Sequence, residues 1–186
     1  KHTIIESTIF LVNASVRDEF KLDTLLDLKK KGALIGIDLQ GFIRTKDTKN
    51  ILNNSSWDEK KEALAITHYL KADGVEAEFL TGESDLVAAA KTLKSYGPQE
   101  IIITHKDGVL VYDGNQVYQE SFMLDKIIGR SGRGDTCGAS YVYMRLTLDP
   151  GQSIKWAAAA TSLKMESDTP LKKSKQEIED RVKEYK

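Results

Sequence analysis

Apolar runs bounded by turn residues alternate along this chain with stretches of helical periodicity, the pattern of an α/β layered domain. Ile4 to Val12 reads as a buried strand, Glu19 to Lys31 as a helix with Phe20, Leu22, Leu25, Leu26 and Leu28 as its apolar positions, and Ala33 to Asp38 as the next strand. The opening is therefore β-α-β. Gln40 to Ser56 is polar and irregular, long enough for a functional loop, and Ser56-x-x-Glu59 is a capping-box signal for a helix running to about Tyr69. Short elements follow over Leu70 to Leu80. Ser84 opens a helix to Tyr96 that Gly97 and Pro98 end, and Glu100 to Thr104 is rich in strand formers. Gly108 to Tyr112 and Gln116 to Phe122 flank Asp113-Gly114-Asn115, a hairpin signal that predicts an antiparallel edge. Helices at Asp135 to Leu146, Ser153 to Met165 and Ser174 to Glu184 complete the pattern, the middle one carrying Ala157 to Ala160 in succession. Four small side chains admit either a closely packed helix or a flat ligand.

Composition narrows the class. The 186 residues suit one domain with a sizeable core, and 40% apolar with 30% charged residues is an ordinary globular balance. With 27 basic and 28 acidic side chains the net charge is −1, which gives no electrostatic case for a nucleic-acid or membrane-surface partner. The single cysteine, Cys137, cannot form an intramolecular disulfide and fits a reducing, cytoplasmic setting. No apolar run approaches the roughly 18 residues of a membrane span, and no signal peptide is visible. The first residue is Lys1 rather than Met.

The most informative segment is Gly129-Arg-Ser-Gly132-Arg-Gly134-Asp135-Thr-Cys-Gly138. Glycines fold backbone N–H groups inward, and a helix N-terminus leaves about four such donors unpaired beside the positive end of its dipole. Together they predict an anion hole over Gly132, Arg133 and Gly134. An aspartate there repels a phosphate, so Asp135 is better placed to meet a substrate hydroxyl and take its proton. The plainer reading is a helix cap, since Asp and Gly open helices in proteins that never bind phosphate. Arg133-Gly134-Asp135 is also an adhesion tripeptide, but nothing else in the chain looks extracellular.

Two further candidates lie upstream. Asp73-Gly-Val-Glu76 places carboxylates three apart, on one face of a helical turn, where they could hold Mg²⁺ through its waters or serve only as capping charges. Thr104-His105-Lys106-Asp107-Gly108 joins a strand to the hairpin, a usual ligand position in open α/β sheets and also an ordinary turn.

These three motifs, in this order, resemble the ribokinase-like, or pfkB-type, carbohydrate kinases across nearly the whole chain. The likeness is to the sugar and polyol kinase branch, some of it described as inositol kinases, in which Gly-Arg-Thr-Gly-Arg-Gly-Asp-Thr-Cys replaces Asp-Thr-Thr-Gly-Ala-Gly-Asp-Thr. Gly129 to Cys137 match that variant with Ser131 in place of Thr. The resemblance implies a Rossmann-like three-layer ribokinase-type α/β core, mostly parallel with an antiparallel hairpin edge. It implies transfer of the γ-phosphate of ATP, with Mg²⁺, to a hydroxyl of a small sugar or polyol.

Carried over by position, Asp135 is the catalytic base that meets the substrate and the amides from Gly132 to Asp135 are the anion hole. Asp73 and Glu76 stand in the family's Asn-x-x-Glu signature and organise Mg²⁺ and the phosphates. Thr104 and Gly108 match the first and last positions of the nucleotide-facing Thr-x-Gly-x-x-Gly loop, which here lacks its first glycine and is one residue shorter. The alanine helix, Ala160 included, and the turn Glu166 to Pro170 resemble the region flanking adenine. Asp38-Leu-Gln40-Gly41 resembles the family's central Asp-x-Asn or Asp-x-Gln segment, to which no role is assigned. Arg133, where Ala is usual, is either a phosphate-side charge or a solvated arginine.

Relatives begin with a β-rich part carrying a Gly-Gly substrate motif and a strand lid, and no such segment occurs here, so roughly the first third of the fold is expected to be missing. The Asn13 segment aligns with a loop near the relatives' active site. A homodimer, formed through the lid, is expected only of a full-length protein. Two alternatives stand beside the sugar or polyol kinase: a nucleoside kinase of the same fold, and a catalytically incomplete nucleotide-binding module.

Overall fold

The computed structural model describes residues 6–185. In chain order the elements are β1 (Ile9–Val12), α1 (Leu22–Lys30), β2 (Leu34–Asp38), α2 (Gln40–Ile43), β3 (Arg44–Lys46), β4 (Leu52–Asn54), α3 (Lys60–Ala65), β5 (Tyr69–Asp73), α4 (Gly74–Thr81), α5 (Leu86–Ser95), β6 (Glu100–Thr104), β7 (Gly108–Tyr112), β8 (Val117–Ser121), α6 (Arg133–Met144), α7 (Pro150–Met165) and α8 (Lys175–Val182). Six strands form one sheet in the order β1-β2-β5-β6-β7-β8. The first four run parallel, and β7 and β8 add the antiparallel edge. Strands β3 and β4 form a separate two-stranded antiparallel pair.

The strand pleat divides the core into two layers of side chains. Ile35, Ile37, Leu70, Ile101 and Ile103 point to one face and pack with Leu25, Leu64, Ala77 and Leu93 from α1, α3, α4 and α5. Tyr69, Ile102, Val109 and Val111 point to the other and pack with Tyr141, Ala157–Ala160 and Ile178 from α6, α7 and α8. This is the expected three-layer α/β fold. The same alternation sends Asp38 and Lys71 to the α6 face, because Ile37, Leu70 and Ala72 beside them belong to the opposite layer.

Helix α6 is pinned at its far end by a polar network. The Tyr141 hydroxyl donates to Glu100 Oε2 at 2.6 Å, and Arg145 donates to both Glu100 oxygens from Nε and Nη2, the shortest contact being 2.7 Å. Burial, with Glu100 beside it, pushes the Tyr141 hydroxyl far above its ordinary range, so it stays a donor. The alanine run of α7 is fully buried against α6 and the sheet.

Several boundaries differ from the sequence pattern. Strand β1 begins at Ile9; Ile4 and Ile5 lie outside the described residues. Residues 40–56 are not irregular throughout, since they hold α2 and the β3–β4 hairpin. The Ser56 capping box does not form: α3 starts after Glu59 with no side-chain cap and stops at Ala65, because the segment from Tyr69 is taken by the sheet. Helix α5 is capped by Asp85, whose carboxylate accepts from the Ala88 amide at 2.8 Å, rather than by Ser84.

Two stability predictions follow from these contacts. Glu100→Ala leaves Arg145 and Tyr141 without their acceptor and is expected to cost roughly 3 kcal/mol in urea unfolding. His68 is buried, its Nδ1 accepts the Ile35 amide at 2.9 Å, and burial, aided by Lys29, lowers its pKa. The unfolded state therefore binds its proton more readily. The stabilisation is complete above the unfolded value of about 6.5 and is lost as pH falls through the lowered folded value. His68→Gln should flatten the decline of melting temperature between about pH 7 and pH 5.

Candidate active site

The sheet register gathers the polar residues at one edge. Val12 pairs with Ile37, Asp38 with Lys71, and Asp73 with Thr104. Asn13, Asp38, Asp73 and Thr104 thus follow one another along the carboxyl ends of adjacent parallel strands, the usual ligand position in open α/β sheets. The first turn of α6 lies across this edge.

That turn begins at Gly132, not at Asp135. Gly132 is the N-cap, held at φ 75°, a left-handed conformation that costs other residues about 1–2 kcal/mol. Arg133, Gly134 and Asp135 form the first helical positions, so Asp135 is not a cap. The Arg133 amide turns back to the Arg130 carbonyl at 3.2 Å, and the Thr136 amide closes the first helical bond on Gly132 O at 3.0 Å. Among the described residues, the amides of Gly134 and Asp135 have no protein acceptor. The donors available to an anion are therefore these two, and the Arg133 amide is spent within the turn. The Asp135 side chain is exposed, and its Oδ1 accepts a 2.9 Å hydrogen bond from Asn13 Nδ2. Asn13 fixes the orientation of the carboxylate from the opposite side of the edge.

Beneath the turn lies an ammonium that sequence reasoning passed over. Lys71 is 6% exposed, and its Nζ sits 2.9 Å from Asp38 Oδ2 and 3.2 Å from Oδ1. A Cβ on Gly134 would come within 2.8 Å of that Nζ, and one on Gly138 within 3.3 Å of Lys71 Cγ, so the two glycines let α6 rest on the lysine. Burial opposes the charge of Lys71, but Asp38, Glu76 and Asp73 together outweigh it and keep the ammonium protonated. A lysine in the middle of Tyr-Leu-Lys-Ala-Asp, a strand buried up to its last residue, was the sequence signal for it.

Asp73 and Glu76 form a capping box at the start of α4: Asp73 Oδ1 accepts the Glu76 amide and Glu76 Oε2 accepts the Asp73 amide, both at 2.8 Å. Glu76 is buried, which pushes its carboxyl upward against the pull of Lys71, and its other oxygen is 3.9 Å from Arg44 Nη2. Among the described residues no cluster of three or more metal-ligating side chains occurs. A magnesium ion arriving with a phosphate would therefore keep most of its waters; among the described residues the second oxygen of Asp73 accepts no protein hydrogen bond, and that of Glu76 has only the distant Arg44 guanidinium.

The residues expected on the nucleotide side are all buried. Thr104 is buried, with Oγ1 3.9 Å from the Cβ position of Gly134, so it supports the turn from below. Gly108 is buried where β8 passes close, and a Cβ there would collide with Glu120 O. Ala160 is fully buried in the layer between α7 and the sheet, so the alanine run serves helix packing. What opens beside Asp135 is a cleft of about 300 Å³ between Gly132, Asp135 and Thr136 on one side and Lys164, Asp168 and Pro170 on the other. Asp168 to Pro170, within the turn Glu166 to Pro170, thus border this cleft. Arg133 makes no ion pair among the described residues, and its charge helps lower the pKa of His105, whose main cause is burial.

Known proteins agree with this fold. Residues 35–172 match the model of the pfkB family of carbohydrate kinases, and the chain belongs to that family. A search of curated protein sequences gave no match. Among solved structures, the chain superposes with a TM-score of 0.88 and 33% identity on a pyrophosphate-dependent myo-inositol-1 kinase converted by mutation into a myo-inositol-3 kinase, covering 97% of this chain and 64% of that one. It superposes with 0.87 and 34% identity on a pyrophosphate-dependent kinase of the ribokinase family complexed with a pyrophosphate analog and myo-inositol, covering 95% and 64%. The ribokinase of Arabidopsis thaliana complexed with ribose and ATP shares the fold at 0.76 and 17% identity, over 95% and 56%. The chain spans less than two thirds of the length of these relatives. No described helix is long and apolar enough to cross a membrane.

Gly134→Ala is expected to push Lys71 off Asp38 and cost about 1–3 kcal/mol, whereas Gly138→Ala, with its looser contact, costs less; paired urea titrations check the order.

Proposed function

We propose that the protein of which this chain is part is a phosphotransferase acting on a hydroxyl of a small sugar or polyol, with Asp135 as the base and the amides of Gly134 and Asp135 as the anion hole. The observation that carries this reading is the meeting, on one turn, of two unpaired amides, a carboxylate oriented by Asn13 and a buried ammonium below, in a pfkB-family chain. The acceptor oxygen attacks the terminal phosphorus and its proton passes to Asp135, while the bond from that phosphorus to the leaving phosphate breaks. A loose phosphoryl transition state asks for alignment and charge stabilisation more than for a strong base, so an exposed carboxylate held by one amide suffices. Mg²⁺, bound with the donor and reached through water by Asp73 with Glu76 holding the cap, would neutralise part of the phosphate charge.

ATP is the donor that the family resemblance implies. A second reading, inorganic pyrophosphate as donor and an inositol as acceptor, is favoured by specific observations. The pyrophosphate-dependent kinases match at 33–34% identity against 17% for the ATP-complexed ribokinase. In addition, Gly108 and Ala160 are occupied with packing rather than open to a base. A nucleoside acceptor and a catalytically silent module remain the rival readings. A cytoplasmic location accords with the family's chemistry, and dimerisation through a lid belongs to the full-length protein.

The test is phosphate transfer by the full-length protein from ATP or pyrophosphate to a panel of sugars, inositols and nucleosides. Asp135→Asn should lower kcat by at least about 100-fold while leaving donor affinity nearly intact. Full activity in that variant would remove Asp135 from the role assigned to it.

A further inference from the structure

Lys164, one residue from the end of α7, is 3% exposed. Its Nζ donates to the Ser167 carbonyl at 3.2 Å, and no described carboxylate comes within ion-pairing distance. Buried charges are normally paired, because desolvation costs several kcal/mol per ion. The other deeply placed cations obey this: Lys71 has Asp38, Arg145 has Glu100 and Arg181 has Glu166. Lys164 has only a carbonyl dipole. Its stem also lies at the proposed site, with Cε 3.6 Å from the Cβ position of Gly132, and it lines the cleft of about 300 Å³ beside Asp135.

We propose that Lys164 binds the leaving phosphate of the donor, its ammonium being a built-in counter-charge for a phosphate seated in this cleft. The inference rests on the reading of the cleft as the donor side of the phosphotransferase site. Lys164 Cε and Asp135 Oδ2 both come near the Cβ position of Gly132, at 3.6 and 3.8 Å, so a phosphate seated on the amides of this turn meets the base and the ammonium in one cleft. As the bond between that phosphorus and the leaving phosphate breaks, its electron pair stays on the leaving oxygen, and an ammonium there gains attraction as the charge grows. The chemistry recognised is a diphosphate group, whether free pyrophosphate or the tail of a nucleoside triphosphate. The competing role is structural, a lysine capping the last carbonyls of α7.

Calorimetric titration of this chain with magnesium pyrophosphate and with Mg-ATP, beside thermal unfolding in anion-free buffer, separates the two. Lys164→Met and Lys164→Gln are both expected to weaken diphosphate binding by about tenfold or more. In anion-free buffer Lys164→Met should melt no lower than the wild type, since it removes an unpaired buried charge. A loss confined to one donor upholds the proposal and names the source of the diphosphate; an equal loss for both upholds it for the shared group. Unchanged affinity in both variants, with Lys164→Met melting lower and Lys164→Gln restored by its N–H donor, overturns the proposal in favour of the cap. Failure of the wild-type chain to bind either donor overturns the donor-side reading and this assignment with it.

Discussion

Lys71 and Asp38 face each other across adjacent parallel strands, at 6% and 4% exposure, with the first turn of α6 resting on the ammonium. Removing one member of such a pair typically costs about 3–5 kcal/mol, because the other is left charged and dry. The pair therefore fixes which residues can lie above it. Position 134 has no room for a side chain and position 138 has little, and the helix that follows must enter with its amides over a positive charge. Two adjacent positive features, an ammonium and a helix N-terminus, are unfavourable in isolation and become favourable when an anion arrives. An arrangement of this kind trades stability of the empty fold for affinity at the site.

Electrostatics at the edge are balanced by position rather than by number. Asp38 neutralises Lys71 directly, Asp73 and Glu76 add negative charge from α4, and Glu76 is tied into the capping box that starts that helix. Asp135 is exposed and held by the neutral amide of Asn13, and its charge is felt at Asp38. One carboxylate is thereby left open to solvent while the others serve architecture and charge balance. The opposite end of α6 is anchored on Glu100 through Tyr141 and Arg145, which leaves the position of the first turn determined from both ends.

Much of this was legible in the sequence. The alternation of apolar runs gave the α/β class, the Asp-Gly-Asn turn gave the antiparallel edge, and β6 matched its sequence-based bounds, since each signal is local. The Gly132 to Asp135 turn was legible because glycines constrain a backbone strongly. The start of α6 was displaced by two residues because Gly132, with no capping side chain, took the cap position by conformation alone. The Ser56 box failed for the opposite reason, as sheet pairing of Tyr69–Asp73 outweighed a local helical preference. Asn13 and Lys71 could not be assigned from spacing, because their partners stand 122 and 33 residues away, and the approach of Lys164 to the Gly132 turn joins two helices. Only strand register and helix packing bring such residues together.

The most direct measurement is a crystal structure of this chain grown with magnesium pyrophosphate. A phosphate accepting from the amides of Gly134 and Asp135, above an intact Lys71–Asp38 pair, is the predicted result. A phosphate bound away from that turn, with both amides still unpaired, would contradict the anion hole and the function built on it.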